Sequence, residues 1–276
     1  RVAAASSMRE LANRIDGQSL DEARKSASGA YDVLALEGTK IPYAIPNITI
    51  DHFPVAMPMP TGPWRGLANS YNCFFIEGFI DELAHKAGVE PYLFRMQMLA
   101  GQPRLARCLT GVANMVGSDG GVLGSGRGIA CHSMRDSHIA VIVTASNSET
   151  GVRVDSIHAM ADCGRLINPD LARQQIEGGI VFGLAQALGS ATDFESGLPT
   201  ARRLRDIDLP KLADVPEITV ELARSDEAPG GVSDLGVPEL RHHLQSREYL
   251  VTYETIYFTR AIWSLSAMAD IFDNPA

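Results

Sequence analysis

Residues 161–179 read ADCGRLINPDLARQQIEGG, and this stretch decides the predicted fold. The residues before it alternate in polarity around Val152 and Val154, which predicts a β-strand that ends near Asp162. Asn168 then supplies a helix N-cap and Pro169 a first helical residue without a backbone donor. The stretch therefore predicts a strand, a tight turn and a helix in immediate succession.

The predicted helix contains three glycines that lower its intrinsic stability. Gly178, Gly179 and Gly183 each cost roughly 1 kcal/mol relative to alanine in a helix interior. Gly179 and Gly183 lie four residues apart and so share one helix face. We expect another backbone or a flat ligand to pack closely there. Gln175, about two turns past the cap, makes this helix a candidate cofactor site.

Three separated motifs resemble the large subunit of the molybdenum hydroxylases, the xanthine and aldehyde oxidase superfamily. The first is the stretch above, with Asp-x-Gly, Asn-Pro and Gln-x-Glu-Gly; the second is TGPWRG at residues 61–66, with the helical pattern behind it; the third is PGGVSD at residues 229–234. The resemblance covers roughly residues 40–238. Within the superfamily, the sequence most resembles the branch that contains the beta subunit of isoquinoline oxidoreductase. The two features that indicate this branch are Trp64 and the lack of a Gly-Gln-Gly segment between Arg65 and Asp162.

The resemblance implies which residues surround the cofactor. Main-chain groups of Trp64, Arg65 and Gly66 are expected near it, with the Arg65 side chain either a direct contact or a structural ion-pair partner. Gln175 matches the family glutamine that hydrogen-bonds the cofactor, although a glutamine at this helix position can also be simply solvated.

The loop that contains Gly231 and Asp234 occupies the place of the family's catalytic Gly-Glu loop. A carboxylate there is expected to act as the general base. Asp234 is one methylene shorter than the family glutamate, and a misplacement of about 1 Å can cost about 10²-fold in rate. Asp234 is therefore predicted either as the base or as a solvated turn residue.

The resemblance also implies the cofactor and the partners. The expected cofactor is molybdenum bound to molybdopterin, of the pterin cytosine dinucleotide type, with water as the oxygen source for a small-molecule substrate. Electrons would pass to a separate [2Fe-2S] subunit and in some enzymes to a cytochrome c subunit. The protein itself is expected to ligate no metal, because its seven histidines lack paired ligand spacing.

Composition and charge exclude several other functions. The 276 residues have a net charge of −9 and only four lysines, so neither nucleic acid nor an anionic membrane surface is an expected partner. No apolar run reaches the roughly 18–20 residues that span a bilayer. The four cysteines have no CxxC spacing and are predicted to be free thiols. The chain begins with arginine, which suggests a piece of a longer protein, and no signal selects between periplasm and cytoplasm.

The predicted fold class is α+β, with mixed α/β layers of a cofactor-binding domain truncated at its N-terminus. We predict helical segments with the Arg-Gly turn in residues 1–120, a strand-and-helix cofactor-binding region in 121–240 and a divergent helical tail in 241–276. Helices are predicted at 5–36, at 72–86, from 91, at 103–116 and at 169–188. The other predicted elements are a strand leading into a loop at 42–59, an antiparallel strand pair at 139–143 and 152–160, an irregular segment at 195–214 and a strand at 216–222. A core-facing helix stripe is assigned to Phe75, Ile76, Phe79, Ile80 and Leu83, and the glycine-rich segment 124–128 is assigned to a linker.

Three functions remain as hypotheses. The first is part of a molybdenum-dependent oxidoreductase that hydroxylates an N-heterocycle or oxidises an aldehyde. The second is a non-catalytic remnant or assembly subunit of the same fold. The third, a nicotinamide-dependent enzyme, lacks a GxGxxG motif after a strand and is disfavoured. The sequence after residue 240 departs from the family pattern, as a shifted reading frame would produce.

Overall fold

The computed structural model describes residues 36–51, 64–117, 125–148, 151–189, 193–207 and 209–238. Four helices and six strands are assigned in these ranges. The helices are α1 (Leu67–Ala87), α2 (Pro91–Met98), α3 (Pro103–Val116) and α4 (Pro169–Leu188). The strands are β1 (Ser125–Met134), β2 (Ser137–Ser148), β3 (Gly151–Asp162), β4 (Phe194–Glu195), β5 (Leu198–Pro199) and β6 (Glu217–Leu222).

The main sheet has the strand order β1-β2-β3-β6. β1, β2 and β3 form an antiparallel meander, whereas β6 pairs parallel to β3. A parallel neighbour requires a crossover connection, and α4 supplies it between β3 and β6. The ends of β3 and β6 therefore lie side by side, and the segment after β6 starts beside the end of β3, where the Ala223 amide donates to the Ala161 carbonyl at 2.8 Å.

Each face of the sheet is covered by helices. Alternate residues of β2 point to opposite faces: Ile139 and Val141 pack in the core that contains Ile180 of α4, while Ala140 and Ile142 belong to the core beneath α1 and α3. A strand that is apolar on both faces needs a layer on each side. The described chain is thus a three-layer arrangement with α4 on one side and α1 to α3 on the other.

The mixed α+β fold class is confirmed, as are most predicted elements. α3 and α4 have the predicted limits, α2 starts at Pro91, and the Asn168 side chain accepts a hydrogen bond from the Leu171 amide as the predicted N-cap. The predicted strands at 139–143, 152–160 and 216–222 lie within β2, β3 and β6 or within one residue of them. All four cysteines are free and buried, as expected.

The stripe assigned to α1 is confirmed at Ile80, which is buried in the core, and at Ile76 and Leu83, which pack partly buried against it, but it is wrong at two positions. Phe75 and Phe79 are 51% and 57% exposed. Besides Ile80, the buried face contains small and polar residues such as Cys73 and Glu77. Glu77 can be buried because Arg95, the Tyr43 hydroxyl and the Cys131 amide all donate to its carboxylate, which satisfies its charge.

Two further predictions fail in the described residues. Residues 42–51 form no strand; their prolines lack amide donors, and the segment is held through the Ala44 amide to the Met98 carbonyl instead. Residues 125–128 are not a linker but the start of β1, which pairs along its full length with β2. The segment 195–214, predicted as irregular, contains the short β4–β5 hairpin and two single-turn 3-10 helices.

The predicted helix at 5–36 and the tail at 241–276 lie outside the described residues. The division into three regions stays a prediction. No helix in the described ranges is long and apolar enough to cross a bilayer.

Candidate functional site

Arg65 joins the three segments that the sequence motifs single out. It directly follows Trp64 and precedes Gly66, the N-cap of α1, whose φ of 90° favours a residue without a side chain. Its guanidinium donates from Nη1 to the Gly178 carbonyl of α4 at 3.0 Å, and from Nη2 and Nε to the Ser233 carbonyl at 2.8 and 3.2 Å. The Arg-Gly turn, the helix and the later loop therefore meet at one side chain.

Gln175 lies at the same junction. Its Nε2 donates to the Ser233 carbonyl at 2.9 Å, so this one carbonyl accepts hydrogen bonds from both Gln175 and Arg65. The Gln175 side chain is exposed rather than packed into the sheet. With its nitrogen directed to the loop, the amide has its Oε1 to offer as an acceptor to a bound group.

Asp234 lies between two arginines. Its Oδ2 is 3.3 Å from Nη1 of Arg135, and its Oδ1 is 3.9 Å from Nε of Arg65. Arg135 Nη1 also donates to the Ser233 hydroxyl at 2.9 Å. The carboxylate is 14% exposed, so these charges partly enclose it.

The Phe182 ring lies against the Arg65 guanidinium and also contacts the Trp64 ring. The Trp64 and Phe182 rings are 5.5 Å apart and tilted by 40°, and Cζ of Arg65 lies 5.6 Å from the Phe182 ring centre. Trp64 itself is 59% exposed. The turn at 64–66 thus presents a large apolar surface beside the polar cluster.

Close backbone contacts fix the loop that contains Asp234. The amides of Gly230 and Gly231 donate to the carbonyls of Cys163 and Arg135, both at 2.9 Å. On α4, a Cβ placed on Gly179 would lie 2.2 Å from the Leu235 carbonyl oxygen. The close partner expected at Gly179 is therefore another backbone, that of the loop.

A buried ion-pair cluster holds the end of β3 beneath this loop. Arg104 Nη2 donates to Asp162 Oδ1 at 2.7 Å, Arg107 donates to Oδ2, and the Gly164 amide donates to Oδ1 at 3.1 Å. Burial alone would raise the pKa of Asp162, but these donors outweigh it and hold the pKa below its usual range. The charged aspartate thus ties α3 to the turn that leads into α4.

Sequence reasoning missed Arg135 and the Arg104–Arg107–Asp162 cluster. Arg135 lies in the β1–β2 turn, where it and Asp136 both have positive φ (49° and 62°). Since β1 was not predicted, the turn could not be recognised. The sequence signal that could have predicted β1 and its turn is the segment from Ile129 to Met134. Two alternating sets of residues there are followed by the polar pair Arg135 and Asp136, a pattern typical of a strand that enters a tight turn.

The donor set fits a group held by hydrogen bonds rather than by protein–metal bonds. Guanidinium, amide and carboxylate groups converge on one exposed cluster, and the 64–66 turn lies against it. Across the described ranges, no group of three or more His, Cys, Asp or Glu side chains is arranged to hold a metal ion. The expected contacts of Trp64, Arg65, Gly66, Gln175 and Gly231 with a cofactor, and the role of Asp234, stay predictions.

Comparisons with known proteins identify what the chain is similar to. A family model described as a molybdopterin cofactor-binding domain matches residues 136–216. The beta subunit of isoquinoline 1-oxidoreductase from Brevundimonas diminuta is 28% identical over 210 residues, which cover 74% of this chain and 27% of that protein. One of the nicotinate dehydrogenase subunits of Pseudomonas putida is 28% identical over 215 residues, covering 68% of this chain and 18% of the relative.

A solved structure shares the fold. The aldehyde oxidoreductase from Desulfovibrio gigas superposes with a TM-score of 0.63 at 14% identity, covering 76% of this chain and 42% of the other. The fold and the matches define the class as a molybdopterin cofactor-binding domain of a large subunit. The chain is similar to large subunits of the molybdenum hydroxylases, and it spans about a quarter of the length of the isoquinoline 1-oxidoreductase relative.

Proposed function

We propose that the chain is part of the large subunit of a molybdopterin-dependent oxidoreductase that hydroxylates an N-heterocycle or oxidises an aldehyde, with water as the oxygen source. The convergence of Arg65, Gln175 and Asp234 supports this proposal most strongly, because three motifs far apart in sequence meet in one cluster. The family match adds a cofactor whose chemistry suits such a cluster.

In this proposal the bound molybdenum–pterin group supplies the two-electron acceptor, and the chain's own residues bind and orient. Main-chain groups of Trp64, Arg65 and Gly66 contact the group, and Gln175 Oε1 accepts a hydrogen bond from it. Gly231 holds the loop by donating its amide to the Arg135 carbonyl. Asp234 takes up the proton of the attacking water at a carboxylate oxygen.

The partners proposed are a [2Fe-2S] subunit, which would receive the electrons, and a cytochrome c subunit. Two relatives are themselves named as subunits, which agrees with an assembly of several chains. We further propose the pterin cytosine dinucleotide form of the cofactor and the three-region division of the chain.

A second candidate function is a non-catalytic remnant or assembly subunit. The observation that favours it is the position of Asp234, whose short side chain contacts Arg135 and lies near Arg65 rather than projecting freely. If the Asp234 carboxylate only anchors its loop to these arginines, the site requires no cofactor, as expected for a non-catalytic remnant.

The first experiment separates the two functions through cofactor content. The complete gene product, including any coding sequence upstream of residue 1, is purified and its molybdenum and pterin are measured. We expect both to be present, and Gln175→Ala to lower them. Gln174→Ala, on the adjacent exposed residue, is the control and should leave them unchanged. Equal molybdenum in both variants would refute the Gln175 assignment, and molybdenum absent from every preparation would support the remnant.

A second experiment tests Asp234 in molybdenum-loaded enzyme. Asp234→Asn should lower kcat by about 10²–10⁴-fold, the range expected when a general base is removed. Asp234→Glu restores the missing methylene and should keep or raise kcat. Full activity in Asp234→Asn, with normal molybdenum content, would show that this carboxylate is only an anchor.

A further inference from the structure

A cavity of about 230 Å³ lies beside the candidate site. It is formed by the β1–β2 turn, the first residues of α3 and the segment around Lys40. Pockets that enclose a whole drug-sized ligand usually measure roughly 300–1,000 Å³. This cavity is therefore sized for a substituent of a larger molecule. We call it the cationic cavity.

The charge of the cationic cavity is predominantly positive. Lys40, Arg104 and Arg135 line it, and Asp136 is the one carboxylate among the lining residues. His138 also lines it; burial, followed by the nearby Arg104 charge, lowers the pKa of this histidine, so it is neutral at pH 7. Arg104 and Arg135 are also paired with Asp162 and Asp234, which do not line the cavity, so Lys40 is the lining cation whose charge favours an anionic group inside it.

The three cationic side chains differ in how many of their N–H groups already have an acceptor in the chain. Arg104 is committed to Asp162 through Nε and Nη2. Arg135 uses Nη1 for Ser233 and Asp234, which leaves the N–H groups on Nε and Nη2 to donate. Lys40 is exposed and forms no ion pair with any residue of the described ranges. Lys40 and Arg135 are thus the groups that can receive a ligand.

Arg135 connects this cavity to the candidate site. Its guanidinium lies against Asp234 and also lines the cavity. A molecule with its reacting carbon near Asp234 can therefore place a second group against Arg135 and Lys40. Ser133 and His138, hydrogen-bonded to each other at 2.7 Å, add polar groups to the same wall.

We propose that the cationic cavity receives a carboxylate of the substrate, so that the substrate class is an aromatic aldehyde or N-heterocycle bearing a carboxylate group. The inference rests on the proposed function and deepens it. A planar carboxylate matches the remaining N–H groups of Arg135, and Lys40 adds a charge-assisted hydrogen bond.

The experiment uses the complete enzyme, in which the large subunit is loaded with molybdenum cofactor and assembled with the proposed [2Fe-2S] subunit, with an artificial electron acceptor in excess. Initial rates are compared for benzaldehyde and its para-carboxy derivative, and for quinoline and its carboxylates. In parallel, calorimetry measures binding of benzoate, of the neutral isostere benzamide and of inorganic phosphate. The variant is Lys40→Met; the control is Lys86→Met, which removes the same charge from an exposed residue at the end of α1 that does not line the cavity.

We expect wild type to prefer the carboxylated member of a pair and to bind benzoate over benzamide. Lys40→Met should lower that kcat/KM preference and weaken benzoate binding by about tenfold, as expected for the loss of one charge-assisted hydrogen bond. Lys86→Met should behave as wild type.

Other outcomes overturn the inference. They are an equal preference in wild type and Lys40→Met, no benzoate binding, or phosphate binding more tightly than benzoate without any carboxylate preference. If the assembled enzyme converts neither member of either pair, the proposed function fails instead. The calorimetry then decides the cavity alone: benzoate binding lost in Lys40→Met supports a carboxylate site, and its absence in wild type refutes it.

Discussion

Arg65 and Ser233 lie 168 residues apart in sequence, yet the Arg65 guanidinium donates two hydrogen bonds to the Ser233 backbone carbonyl. The same guanidinium donates to the Gly178 carbonyl on α4. A planar guanidinium can serve several acceptors in fixed directions, which a lysine ammonium cannot. Arg65 therefore acts as a clamp that holds the Asp234 loop against the helix, whatever the loop binds.

This clamp predicts the effect of Arg65→Gln. Removing it should free the loop, with faster amide exchange in residues 231–237 and a loss of about 1–2 kcal/mol of stability, as for hydrogen bonds to a charged group that is partly exposed. Hydrogen exchange with mass spectrometry measures the first effect and urea unfolding the second. Arg153→Gln, in an exposed pair with Asp155, is the control and should change neither. Unchanged exchange in the loop would show that the backbone contacts suffice to hold it.

Two adjacent glycines of α4 should respond to alanine in opposite directions. A Cβ on Gly179 would lie 2.2 Å from the Leu235 carbonyl oxygen, whereas the nearest atom to a Cβ on Gly178 is Arg65 Nη1 at 3.9 Å. Gly179→Ala should force the loop away and cost about 1–3 kcal/mol. Gly178→Ala should stabilise the chain by up to about 1 kcal/mol through helix propensity. Urea unfolding of both variants measures the difference, and equal effects would contradict this contact.

The contrast between these glycines shows what the sequence could and could not predict. The cost of glycine in a helix interior predicted a close partner at Gly179, and strong local signals such as Asn168-Pro169 predicted where α4 begins. The identity of the partner depends on how the loop folds back, which no local pattern encodes. Apolar spacing placed Ile80 in the core correctly but also included Phe75 and Phe79, because it cannot show that the buried face runs through Glu77, which pairs with Arg95.

The Asp162 cluster should be among the most sensitive sites in the described chain. Asp162→Asn removes a buried charge that Arg104 and Arg107 share, and should cost about 2–3 kcal/mol, because the two arginines are 24% and 47% exposed and water can solvate them when the carboxylate charge is lost. Asp155→Asn, on the same strand but in a partly exposed pair with Arg153, is the matched control and should cost less than about 1 kcal/mol. Thermal or urea unfolding of both variants tests this order. Similar losses would show that the arginines find other acceptors.

The last prediction concerns acid stability and His132. The ring is buried, its Nε2 donates to Asn69 Oδ1 at 2.9 Å, and burial lowers the pKa from 6.5 to about 4. Between these pH values the unfolded chain binds a proton at this residue that the folded chain does not, so folding is favoured at higher pH. The stability from the neutral ring is complete above pH 6.5 and is lost as pH falls toward 4.

The lost stability at His132 amounts to about 2 kcal/mol between pH 7 and pH 5 by this linkage. His138 and His158 also have lowered pKa values, so the comparison must isolate His132. In His132→Gln the difference in unfolding free energy between pH 7 and pH 5 should be smaller than in wild type by that amount. The exposed Gln174, replaced by Ala, is the control, because it does not titrate and should leave the wild-type difference intact. Urea titrations at both pH values give the four free energies, and an identical pH dependence in wild type and His132→Gln would mean that His132 takes up a proton in the folded chain.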